Sequence, residues 1–182
     1  MAGSRSDAQR NRAQILAVAR RALANGDAVS MTRIAKLADI GVGTLYRHFP
    51  TRDALILELY SQDIQAVIDL APMLLEQHPP LEALRSWLRE VARNGRVKQG
   101  AAEVIHAATN NGLNDPNYTP FVDAIRTLLE AGAASGDLKP DLDPEDVLLQ
   151  LSVLWRIPPT GDVDARTDRI LTLITDGLLV VV

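Results

Sequence analysis

The sequence predicts an all-α fold of about nine helices. Two observations carry that reading. Apolar residues recur at spacings of three and four, as in Ile15, Val18, Ala19, Ala22 and Leu23, and again in Leu55, Leu59, Ile64, Val67 and Ile68. That spacing lines one side of a helix with apolar groups. No stretch of four or more residues sustains the alternation, rich in β-branched side chains, that a half-buried strand needs.

Glycines, prolines and capping residues divide the chain. The first helix is expected from about Asp7 to Asn25, stopped by Gly26, which favours the left-handed backbone of a helix C-cap. Ser30 can cap a second helix that runs to about Ala38, because its hydroxyl accepts from unpaired backbone amides. Asp39-Ile40-Gly41 forms a three-residue turn into a short third helix from Val42 to Phe49, which Pro50 ends. Thr51 caps a long fourth helix, with Asp53 favourably placed against its N-terminal dipole; this helix is expected to falter at Pro72. Further helices are expected over Pro80–Val97, Gly100–Asn110, Tyr118–Ser135, Pro144–Trp155 and Asp164–Leu179.

Composition narrows the function. The chain has 182 residues and no cysteine, which excludes disulfides, thiolate metal sites and a cysteine nucleophile. No apolar run approaches membrane-spanning length, and the N-terminus lacks an apolar signal core, so a cytoplasmic protein with no membrane partner is expected. The formal net charge of −4 hides an asymmetry. Residues 1–52 carry nine basic and three acidic side chains, a net +6, whereas the remaining residues sum to −10. A basic module on an acidic body is therefore expected, with the domains dividing as 1–52 and 53–182.

The second helix, tight turn and third helix have the layout of a helix-turn-helix, whose second helix enters the DNA major groove. Ile34, Ala35, Leu37 and Ala38 supply apolar and small residues for close approach of the two helices. Leu45 and Phe49, four apart, give the third helix an inward side. Its other side presents Thr44, Tyr46, Arg47 and His48, polar groups suited to phosphate oxygens and base edges. Gly43 permits close approach of a duplex.

Residues 32–55, and above all Gly43-Thr44-Leu45-Tyr46-Arg47-His48-Phe49-Pro50-Thr51-Arg52-Asp53-Ala54-Leu55, closely resemble the DNA-binding domain of the TetR/AcrR family of bacterial transcriptional regulators. One departure stands in the turn. The family usually has Ala-Gly-Val where this chain has Ala38-Asp39-Ile40, and aspartate is among the few residues that tolerate a left-handed backbone. The resemblance implies phosphate and backbone contacts from Thr44, Tyr46 and His48, and base-edge contacts from Gly43 and Arg47. It also implies a phosphate clamp at Arg52, backbone contacts from Ser30 and Thr32, and a phosphate or base contact from Arg33. Arg10 and Arg12 are less specific candidates for phosphate contact.

Family members carry a helical effector-binding and dimerisation domain after the fourth helix. Residues 154–178 resemble the C-terminal halves of SbtR-like members. The resemblance implies a homodimer through the last two helices, where Val147, Leu148, Leu151, Leu154, Ile170, Leu171, Ile174 and Leu178 are apolar enough for a core side and a dimer side. Candidate contacts for an unidentified small-molecule effector are Trp87, Glu103, His106, Asn110, Tyr118, Phe121 and Trp155, with Thr109, Asn111 and Arg156 beside them. Glu103-x-x-His106 is half of a di-iron carboxylate pattern, but a second copy is lacking, so neither metal nor cofactor is expected.

The leading expectation is a ligand-responsive repressor that binds a palindromic double-stranded DNA operator as a dimer. A regulator whose body binds a protein partner is a second reading. A helical enzyme is a third, but no nucleophile–base pair or phosphate loop supports it, and no catalytic residue is assigned.

Overall fold

The structure is a computed structural model that describes residues 2–24, 30–97, 115–158 and 160–180. Among these the elements are α1 (Ala2–Ala24), α2 (Met31–Leu37), α3 (Val42–His48), α4 (Arg52–Gln77), α5 (Pro80–Val97), α6 (Tyr118–Ala134), α7 (Pro144–Leu151), a 3-10 turn (Ser152–Arg156) and α8 (Val163–Leu178). The fold is all-α, as the apolar spacing predicts; the one sheet-like pairing among the described residues is an isolated bridge between Leu138 and Leu179. The expected helix over residues 100–110 and the Gly26 cap lie outside the described residues. No helix among them is long and apolar enough to cross a membrane.

The chain forms two compact units that divide after Gln62, within α4. The N-terminal unit is held by one apolar cluster. Ile15, Leu16, Val18, Ala19 and Ala22 from α1 pack with Met31, Ile34, Ala35 and Ala38 around α2, Leu45 and Phe49 around α3, and Leu55 and Leu59 of α4. Ala35 and Ala38 are completely buried, and their small size lets α2 and α3 approach closely. Leu37, expected in that contact, is instead 56% exposed. The helical turn carries position 37 off the side shared by Ile34, Ala35 and Ala38. Arg12 fastens the cluster's edge: its guanidinium lies 4.7 Å from the centroid of the Phe49 ring and pairs with Glu58 at 2.9 Å. This side chain is engaged within the unit, which explains an arginine here without a phosphate.

In the C-terminal unit α6 packs on α5 and α7, and α5 also meets α8 and the 3-10 turn. Trp87, Leu84, Leu88, Ile125, Leu128 and Leu151 are fully buried. α4 continues through Pro72 rather than faltering there. Pro72 is exposed, so the carbonyl that loses its partner to the missing N–H can be hydrated, and only one helical bond is given up. The expected helix over Pro144–Trp155 tightens to a 3-10 turn from Ser152, whose hydroxyl donates to the Leu149 carbonyl. The α conformation is disfavoured immediately before Pro158, and a tighter last turn is a common ending.

Candidate nucleic-acid interface

The α2–α3 junction is built by backbone hydrogen bonds. The Ile40 N–H donates to the Ala35 carbonyl at 3.0 Å and the Asp39 N–H to the Lys36 carbonyl at 3.2 Å, the paired bonds of a Schellman ending. That ending needs one residue with a left-handed backbone, and Asp39 has φ 50°. Ile40 then packs back on the apolar cluster. Ser30 caps α2 by accepting from the Arg33 N–H, and Thr51 caps α4 by accepting from the Ala54 N–H at 3.0 Å. The caps and the turn together set where α3 begins and what it presents.

α3 has two chemically different sides. Leu45 is fully buried and Phe49 nearly so, which anchors the helix to the cluster. Gly43, Tyr46 and Arg47 are exposed, whereas Thr44 and His48 are half-buried. Arg47 folds back along its own helix, donating to the Gly43 carbonyl at 3.3 Å and to the Thr44 hydroxyl at 3.1 Å. Ser30, Thr32 and Arg33 are exposed at the start of α2, and Arg52 at the start of α4, where it lies 3.8 Å from Asp53. Arg10 pairs with Asp7 in the exposed part of α1.

Among the described residues nothing requires glycine at position 43. A Cβ placed there meets no atom within 4 Å, and its backbone is ordinary helix. Glycine at a helical position costs up to about 1 kcal/mol relative to alanine, the full value applying in a helix interior. Sequence reasoning passed over Val42, which is 40% exposed in the first turn of α3. The available signal was an apolar residue in a short helix whose inward side Leu45 and Phe49 already fill.

Two family matches cover most of the chain. Residues 15–59 match the bacterial regulatory proteins of the tetR family, and residues 79–180 match the C-terminal domain of SbtR-like transcriptional regulators. The chain belongs to the TetR family. Among its relatives, an HTH-type transcriptional regulator of Staphylococcus aureus is 37% identical over 131 residues, covering 69% of this chain and 68% of that protein. The HTH-type transcriptional repressor KstR of Rhodococcus jostii is 33% identical over 155 residues, covering 82% of this chain and 72% of that one. The crystal structure of a TetR transcriptional regulator from Streptomyces coelicolor superposes with a TM-score of 0.75 at 34% identity, covering 94% of this chain and 99% of that one. As a TetR-family member this chain is a DNA-binding transcriptional regulator with an N-terminal helix-turn-helix domain.

Of the effector candidates of this TetR-family body, the structure describes the side chains of Trp87, Tyr118 and Phe121, with Arg156 beside them. Trp87 is completely buried, and its indole N–H already donates to the Val67 carbonyl at 2.7 Å. Its ring centroid lies 5.3 Å from that of Phe121, which is also buried. Tyr118 is 39% exposed at the start of α6. Glu103, His106, Thr109, Asn110 and Asn111 lie outside the described residues, as does the side chain of Trp155. Arg156 is exposed at the end of the 3-10 turn.

Proposed function

We infer that the chain is an effector-responsive repressor that binds a palindromic operator as a homodimer in the cytoplasm and has no catalytic activity. Residues 1–52 lie in the DNA-binding domain, which extends into α4 through Leu55 and Leu59, and the rest of the chain to 182 forms the effector-binding and dimerisation domain. α3 enters the major groove. Thr44, Tyr46, His48 and Arg52, with Ser30 and Thr32, hold phosphates, Arg47 reaches a base edge, Arg33 reaches a phosphate or a base, and Val42 meets a thymine methyl group. Gly43 carries the reading: it is exposed on α3, and among the described residues a Cβ placed there meets no atom within 4 Å, so the backbone is open to close approach by a duplex.

Dimerisation is supported by a different surface. Leu173 on α8 is 73% exposed and Leu149 on α7 is 68% exposed, with Val153 beyond it at 43%. Large apolar side chains turned to water on the last two helices suit a self-complementary contact between copies. Two half-site contacts joined in one dimer then give tight binding from modest parts. KstR is named a repressor, and repression is the reading adopted for this chain.

The test is selection of bound duplexes from a random pool, then fluorescence anisotropy at two salt concentrations with wild type and Gly43→Ala. A selected palindrome bound in a salt-sensitive way is expected. Gly43→Ala is expected to raise stability by about 0.5–1 kcal/mol while weakening operator binding. Unchanged binding by the stabilised variant would show that nothing approaches α3 at this point.

A further inference from the structure

Within the C-terminal unit, α5 and α8 pack together and leave between them a cleft of about 400 Å³ that opens to solvent. That volume suffices for a small molecule, and the cleft is an open groove whose polar lining residues Arg85, Arg89, Asp168, Thr172 and Asp176 are all exposed. One wall is α5, with Arg85 and Arg89 one helical turn apart; the other is α8, with Asp168, Thr172 and Asp176 at the same spacing. The buried side chain of Leu88 contributes to the lining. Among the described residues none of these four charged groups closes an ion pair. Two cations and two anions are thus held on opposite walls instead of neutralising one another.

Charge selects the occupant. A simple anion drawn to the arginines meets repulsion from the aspartates, and a simple amine drawn to the aspartates meets repulsion from the arginines. A molecule with a carboxylate at one end and an ammonium at the other satisfies both walls when it lies across the cleft. Guanidinium forks match a carboxylate with paired N–H···O bonds, and an ammonium donates up to three hydrogen bonds to carboxylate oxygens. The Thr172 hydroxyl already donates to the Asp168 carbonyl at 2.9 Å, which leaves its lone pairs to accept from the same ammonium.

We propose that the α5–α8 cleft binds a small zwitterion of the amino-acid type. The proposal names the class of effector for the regulator described above, and its consequence for DNA rests on that reading, whereas the binding itself does not. Thr172 directly precedes Leu173 of the inferred dimer contact, so a ligand held by α8 acts on the helix that joins the copies.

The experiment uses the full chain without DNA, titrated with γ-aminobutyrate, butyrate and butylamine and followed by calorimetry and thermal melting. γ-Aminobutyrate is expected to bind and raise Tm, with each singly charged analogue at least about ten-fold weaker. Arg89→Gln and Asp168→Asn replace exposed side chains, and each is expected to weaken γ-aminobutyrate binding by about ten-fold while leaving the apo melting curve in place. Butyrate binding as tightly as the zwitterion, indifferent to Asp168→Asn, would make this an anion site and overturn the proposal. Butylamine binding as tightly, indifferent to Arg89→Gln, would overturn it in favour of a cation site. Failure of all three probes at millimolar concentration would overturn it outright. Anisotropy with the selected duplex separates the two readings. Zwitterion binding that leaves operator affinity unchanged sinks the effector role and keeps the site, whereas an apo protein that selects no operator sinks the regulator reading alone.

Discussion

α3 and α8 are both amphipathic, yet they solve opposite problems. Each buries one apolar side, through Leu45 in α3 and through Leu171 and Leu178 in α8. The outward side of α3 carries a glycine, a phenol, a guanidinium, a hydroxyl and an imidazole, while that of α8 carries Leu173, with Ile170 and Ile174 half-buried beside it, amid the exposed Asp168, Arg169, Thr172 and Asp176. A polyanion is recognised by hydrogen-bonding groups and close backbone approach, and a second protein surface by apolar area withdrawn from water. The inward sides therefore say only that both helices fold. The outward sides distinguish what each one meets.

That contrast can be broken in four places. The largest effect is expected on the inward side of α3. Leu45→Ala opens a cavity in a fully packed cluster and should lower unfolding free energy by about 2–5 kcal/mol, read by denaturant melts. A loss within about 0.5 kcal/mol, the range of surface substitutions, would mean that α3 is not anchored there. Next comes the outward side of α8. Leu149→Asp combined with Leu173→Asp should convert a dimer to a folded monomer in sedimentation, with helical circular dichroism retained and operator affinity reduced by about 100-fold as avidity is lost. A variant that stays dimeric would move the interface elsewhere.

Smaller effects test the DNA-facing groups one at a time. Tyr46→Ala should leave stability within about 0.5 kcal/mol, because the ring is 46% exposed, yet weaken operator binding by about 10-fold or more. Loss of the thermal transition would instead make Tyr46 part of the core. Arg52→Ala is expected to do least. It should weaken binding to all duplexes alike and make the salt dependence shallower by about one phosphate contact. A change in the preferred sequence would reassign Arg52 from phosphate to base.

The N-terminal unit was legible from the sequence because its determinants are local. Ser30 and Thr51 cap the helices they were expected to cap, and Leu45 and Phe49 turn inward as their spacing of four requires. Asp39 adopts the left-handed backbone expected of an aspartate standing where the family usually has glycine. Each of these follows from interactions within a few residues. Leu37 was misplaced because apolar character alone does not say which side of a seven-residue helix faces inward. Pro72 was misread as a break because its exposure, which makes the missing hydrogen bond tolerable, is a property of the folded chain.

The helical class, the caps and turn of the DNA-binding motif, and the family are all written in short spacings and residue types. Long-range packing is what brings Trp87 against Phe121 in the core, engages Arg12 with Phe49 and Glu58, and sets Arg85 and Arg89 in one cleft with Asp168 and Asp176. Charged residues spaced along a helix read as solvated surface until another helix is laid beside them. Because α5 and α8 are far apart in the chain, their meeting depends on the packing of the whole unit and not on any local preference.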